Sequence, residues 1–248
     1  MNRVDTTLDR IKVLNGAQLK YIAFISMLMD HVNKSLIYPY LDNGWLMQIS
    51  NLFDVLGRIA FPLFAFMLIE GYFRTRSRWK YLGNLLLFGV ISEVPFDMFT
   101  TKEFVNGRWN NVMFTLALML VTIWIIDFLK AKLQGAEELS FHGGKLAWWY
   151  ILSIIIVALM CFVSMAASVD YDYHGILIAY FFYLFRERPI LRILFGYLSI
   201  VKEIWAILGF GLTLTYNGER GKQYKILNYL FYPVHLLILG LLRFYLGV

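Results

Sequence analysis

The chain has 248 residues, 59% of them apolar and 18% aromatic, with a net charge of +6 and one cysteine. Apolar runs that recur from end to end exclude a water-soluble domain and indicate an integral membrane protein of many helices. A lone Cys161 excludes an intrachain disulfide, a thiolate zinc cluster and a redox pair.

Residues 1–18 are too polar for a signal-peptide core, so they are expected to stay on the mature protein as a cytoplasmic segment. A single membrane domain over 19–248 follows. Spans are expected at about 19–39, 52–73, 81–100, 111–129, 146–166, 174–185, 189–201, 203–216 and 227–246. That is an all-α polytopic bundle of about nine crossings, within a range of eight to ten. With the N-terminus inside, the cytoplasmic segments collect 17 of the 23 lysines and arginines, as the positive-inside rule requires. The net charge is therefore a matter of topology, and no nucleic-acid partner is implied. The three stretches within 174–216 fall short of the ~20 residues needed to cross and read as tilted, broken or re-entrant. Fusing 189–216 would move Arg220, Lys222 and Lys225 outside, which favours nine spans over eight. The segment from Lys130 to Lys145 reads as a cytoplasmic loop.

The first span contains Asp30 and His31, and the second contains Arg58 within GRIAFPLF (57–64). An ionisable group at mid-membrane costs roughly 2.5–3.5 kcal/mol on insertion scales, so such groups normally face a polar interior and mark a site. At ~1.5 Å per helical residue His31 lies about 16 Å above Lys20, and Arg58 about 24 Å from Arg74. On the third span Glu93 and Asp97 lie about 20 and 26 Å from Lys80 by the same rise. Lys34 shares a helix side with Asp30 and His31, and Asp54 shares one with Arg58 at i,i+4. The stripes of these three helices are expected to meet around one cavity. Pro62 and Pro95 free carbonyls beside Arg58 and Glu93 and are expected to kink or end their helices there. Asn111 and VDYDYHG (169–175) are placed to cap the cavity from outside.

Bland readings stand beside these. An Asp–Arg pair in a bundle can be purely structural, and His235, near mid-depth beside Pro233, can be packing or site. His174 reads as a solvated loop residue and His142 as uninvolved. Arg74, Arg76, Arg78 and Lys80 serve topology first and could also hold an anionic ligand at the inner face. No His, Asp or Glu spacing is diagnostic of a metal.

The strings AFISMLMDHV (23–32), GRIAFPLFAFMLIEGYFRT (57–75), ISEVPFD (91–97), NVMFTL (111–116), YDYHGILI (171–178) and FYPVHLLIL (231–239) resemble the TraX family, in order along nearly the whole chain. Members of that family include the factor that acetylates the N-terminus of conjugative pilin, and the family is similar to membrane acyltransferases such as heparan-glucosaminide acetyltransferase. The resemblance implies a multi-pass acetyltransferase of the bacterial plasma membrane that takes acetyl-CoA from the cytoplasm and serves an acceptor protein or glycan outside. It implies His31 as catalytic histidine, as base or acetyl carrier, with Asp30 and Arg58 beside it. Lys34, Asp54, Glu93, Asp97, Asn111 and His235 are then candidate substrate contacts. Arg74, Arg76, Arg78 and Lys80 are candidate contacts for the CoA phosphates. No metal is expected, and a homo-oligomer is compatible with this reading. A proton-coupled transporter and a non-enzymatic pilus or envelope assembly factor are the alternatives, although no repeat between halves supports the transporter.

Overall fold

The structure is a computed structural model that describes residues 10–41, 44–134 and 143–247. It is all-helical, 79% helix without strands among the described residues. Lipid offers the backbone no hydrogen bonds, so helices that satisfy themselves are the form this composition can take. His142 lies outside the described residues, as does most of the loop ahead of Lys145.

Helix α1 covers Gly16–Val32 and opens on a reciprocal cap, in which Asn15 Oδ1 accepts from the amides of Ala17 and Gln18 while Gln18 Oε1 accepts from the amide of Asn15. Directly after Asp30 and His31 the helix loosens into a π turn at Asn33–Ile37, and a 3₁₀ turn at Tyr38–Tyr40 ends it. Helices α2 (Trp45–Gly57) and α3 (Ala60–Arg74) form one path of 30 residues broken at Arg58 and Ile59. The other long helices are α4 (Arg78–Thr101), α5 (Val112–Gln134), α6 (Gly143–Ala166) and α10 (Lys225–Leu246). Between the last two lie α7 (Asp172–Leu184), α8 (Pro189–Leu198) and α9 (Ala206–Leu212). Five helical paths, 45–74, 78–101, 112–133, 144–166 and 226–246, are long and apolar enough to cross a membrane.

The break at Arg58 is where sequence and packing agree most closely. Pro62 is the third residue of α3, so its missing amide removes the bond that Arg58 C=O would accept. Ser26 Oγ donates to the carbonyls of Leu56 (2.6 Å) and Gly57 (3.2 Å). Gly57 lets α1 approach so closely that an added Cβ would fall 2.6 Å from Asp30 Cβ, and a Cβ on Gly209 of α9 would fall 2.6 Å from the carbonyl oxygen of Ile59. Irregular backbone at this depth is thus enclosed by protein on both sides. Pro95 does not end its helix, since α4 continues through it to Thr101, and α10 likewise continues through Pro233 to Leu246.

The second path begins at Trp45, seven residues before the expected 52. Helices α8 and α9, of 10 and 7 residues, are separated by turns over 199–205 and fold back on each other, with Gly196 against Phe210 and Arg192 beside Thr213. At ~1.5 Å per residue neither reaches across a ~30 Å core, but together they make a hairpin with Glu203 in its turn. Leu14 pairs with Tyr216 and Arg74 donates to Gly218 C=O, which ties the base of this hairpin to the start of α1 and the end of α3. Phe24 stacks on Phe231 at 4.3 Å, and α10 runs parallel to α1 and α4, so residues 20–31 of α1 and 223–235 face each other in register.

Candidate functional site

One end of the bundle gathers ionisable groups from five places in the sequence. Asp30, buried on α1, accepts from Lys34 Nζ at 2.6 Å through Oδ2 and lies 4.0 Å from His31 Nε2. Its other oxygen, Oδ1, has no hydrogen-bond partner and lies 4.0 Å from an Arg58 nitrogen. Arg58 bonds Asp54 at 2.6 Å and meets Glu203 at 3.3 Å. The guanidinium therefore joins α1, α2 and the α8–α9 hairpin through three carboxylates. On the other side of Asp30, His31 Nδ1 lies 2.8 Å from His235 Nε2, and His235 Nδ1 lies 2.6 Å from the carbonyl of Phe231. Phe99 of α4 closes against the His31 ring at 4.9 Å between centroids.

Tyr171, just ahead of α7, stacks on Phe61 of α3. Its neighbour Asp170 keeps part of its surface open while protein surrounds its carboxyl. Exclusion of bulk water pushes its carboxyl up to about 6; Lys34 pulls it down, Asp30 and Asp172 add to the rise, and Arg58 opposes it. A carboxyl raised in the folded state favours folding below that value and loses the advantage as pH climbs from its unfolded value of ~3.9. Asp170→Asn should therefore raise Tm at pH 8, by about 2–4 °C for an effect of ~1 kcal/mol after allowance for exposure. At pH 4 the difference should vanish. Equal melting curves at both values would mean that protein does not desolvate this carboxyl.

A polar recess of about 360 Å³ lies beside Lys34, lined by Asn33, Lys34, Tyr38, Ser50, Asn51 and Asp54. Its volume is in the range of a small-molecule site. The Asn33 amide donates to Ser50 C=O at 3.1 Å, which fixes the π turn against α2 at the back of the recess.

The structure thus brings Asp30, His31, Lys34, Asp54, Arg58 and His235 into one contact cluster, of which Lys34 and Asp54 line the recess, but it does not bring in the stripe of α4. Glu93 accepts from the Asn111 amide, which also donates to Gly89 C=O at 2.8 Å, while Asn111 Oδ1 caps α5 through Met113 N–H at 3.0 Å. Asp97 accepts from Asn106 N–H at 2.7 Å. These carboxylates brace α4 against α5 and the loop over 102–111; the side of α4 near His31 is instead Phe99. His174, expected in solvent, is buried in the first turn of α7 beside Tyr173. Sequence reasoning missed Glu203, whereas Asp170 lay within the capping string VDYDYHG (169–175) without being singled out. The signal for Glu203 was a carboxylate between two short apolar stretches.

At the opposite end, Glu70 meets Arg186 at 3.2 Å and Arg74 at 3.5 Å. Asp127 of α5 accepts from Tyr72 (2.5 Å), Tyr183 (2.9 Å) and Arg78 (3.0 Å). Two of the four cations considered for phosphate are therefore engaged by carboxylates. Arg76 and Lys80 are exposed, with no carboxylate in contact among the described residues. Among those residues no group of three or more His, Cys, Asp or Glu could hold a metal.

A family model described as TraX protein matches residues 15–243. The chain is 29% identical over 234 residues to a probable fimbrial assembly protein FimC, serogroup H1, of Dichelobacter nodosus, which covers 90% of this chain and 93% of that protein. No solved structure matches it.

Proposed function

This chain belongs to the TraX family, and from that premise we propose that it is a membrane-embedded acetyltransferase of the bacterial inner membrane, moving acetyl from cytoplasmic acetyl-CoA to an external amine or hydroxyl. The observation that carries this reading is His31, held between an imidazole and a carboxylate, with Arg58 on the far side of that carboxylate. An imidazole in that setting can take a proton from an acceptor, and a carboxylate can stabilise the imidazolium that forms. Arg58 is a fixed cation for the oxyanion or for an anionic acceptor. The relative's name, a probable fimbrial assembly protein, points to a pilus protein as acceptor, and it equally favours a second reading as an assembly factor without catalysis.

The topology of the proposal puts Leu14, Arg74, Arg186 and Arg220 on the cytoplasmic face, with the α8–α9 hairpin entering and leaving from that face. The nucleotide of acetyl-CoA is too polar to cross and stays at that face, so its pantetheine arm must pass the stacked rings of Phe24 and Phe231 to bring a thioester to His31. Of the four cations considered for its phosphates, Arg76 and Lys80 are left unengaged by carboxylates among the described residues.

Purified protein in detergent or lipid should release free CoA from labelled acetyl-CoA in the presence of a pilin-derived peptide and transfer label to it. The double variant Arg76→Gln with Lys80→Gln should bind CoA more weakly, by about tenfold at low salt and less at high salt, because exposed charges are screened. No CoA release with any amine or hydroxyl acceptor would leave the assembly-factor reading standing.

A further inference from the structure

The two histidines form a chain in which each hydrogen has one allowed position. His235 Nδ1 lies 2.6 Å from the carbonyl oxygen of Phe231, one turn back on α10. A carbonyl can only accept, and its second lone pair is free for this bond, so His235 Nδ1 holds a hydrogen. The rings of His31 and His235 are nearly coplanar, 8° apart, with centroids separated by 5.1 Å and nitrogens by 2.8 Å. That centroid distance is the nitrogen separation plus a ring radius at each end. The rings therefore meet edge to edge along a lone-pair direction, and one hydrogen lies between them.

We infer that His235 is a positioning residue: it accepts the Nδ1 hydrogen of His31 and thereby leaves the lone pair of His31 on Nε2, facing Asp30, Lys34 and Arg58. With His235 Nδ1 already committed to Phe231, a neutral His235 can offer only an acceptor at Nε2, and His31 Nδ1 must donate. The opposite arrangement needs a charged His235. That ring lies among Phe231, Tyr232 and the ring of His31, and among the described residues no carboxylate is within 4 Å of it. Asp30, 4.0 Å from His31 Nε2, is the carboxylate next to the dyad, so a positive charge belongs on His31. The carbonyl and His235 together fill the place that a carboxylate fills in a hydrolase triad.

The chemical consequence rests on the acetyl-transfer reading, whereas the tautomer does not. As an acceptor N–H or O–H approaches from the Asp30 side, its proton passes to His31 Nε2 while its heteroatom bonds to the thioester carbonyl carbon and the carbonyl electron pair moves to oxygen. Collapse of that intermediate restores the carbonyl, breaks the carbon–sulfur bond and returns the proton from Nε2 to the departing thiolate. The acceptor must therefore reach His31 from the Asp30 side of its ring and not between α1 and α10.

Nitrogen-15 NMR of histidine-labelled full-length protein in lipid reads the tautomer without any substrate, with the His31 signals assigned by their loss in His31→Gln. The expected spectrum has a protonated Nδ1 and a bare Nε2 at His31, the reverse of the form that predominates for free histidine in water. His235→Leu, which offers no acceptor, should move His31 to the Nε2–H form and lower kcat by about 10- to 100-fold with little change in KM. His235→Gln, whose side-chain oxygen can accept, should retain the Nδ1–H form and more of the activity than the Leu variant. A wild-type His31 protonated at Nε2, or a tautomer unmoved by His235→Leu, would overturn the inference. The Nδ1–H tautomer in a protein that releases no CoA would sustain it and count against acetyl transfer.

Discussion

His31→Gln is expected to reduce acetyl transfer by about 10²–10⁴-fold, the usual worth of a proton-transfer group in the transition state, while the protein remains folded and monodisperse. Glutamine retains much of the volume and can still donate an amide hydrogen to His235 Nε2, so the link between α1 and α10 survives. What it loses is a basic nitrogen 4.0 Å from Asp30. A titratable ring is needed both for general-base catalysis and for carrying acetyl covalently, so the substitution removes either chemistry. Turnover of labelled acetyl-CoA by purified variant and parent, at matched melting temperature, is the measurement. Near-parental turnover by the Gln variant would remove His31 from the reaction altogether.

Arg58→Gln should be the most damaging substitution for stability, costing about 2–4 kcal/mol, toward the lower part of the range for a buried charge left unpaired. The reason lies in what remains. Asp54, Glu203 and Asp30 would lose a cation at 2.6, 3.3 and 4.0 Å in the same variant. A carboxylate in low-dielectric surroundings without its partner keeps its desolvation cost and loses the compensating attraction. Tm in detergent should fall by roughly 5–15 °C. Two comparisons separate this from general damage. Asp54→Asn should cost less than about 1 kcal/mol, because Asp54 is 49% exposed and water replaces its partner. Adding Glu203→Gln to Arg58→Gln should restore part of the loss, since the two residues are coupled. An unchanged Tm for Arg58→Gln alone would mean that the guanidinium does not hold the hairpin to α2.

The membrane character of the chain and the positions of its long helices were legible in the sequence. So was the meeting of Asp30, His31 and Arg58, because the cost of a charge in hydrocarbon and the rise of a helix are local properties that a linear string displays. The break at Arg58 was equally legible through Pro62, since a missing amide acts within four residues. Depth, however, says nothing about rotation about the helix axis, and rotation decides which stripes face one another. Glu93 and Asp97 share the depth band but turn toward Asn111 and Asn106. The partner of His31 proved to be His235, 204 positions along the chain. Glu203 reaches Arg58 because two short helices fold into a hairpin whose turn ends at the break. Those choices belong to tertiary structure: close approaches at Gly57 and Gly209 fix how the helices are rotated, and only that rotation determines which buried charges and imidazoles satisfy one another.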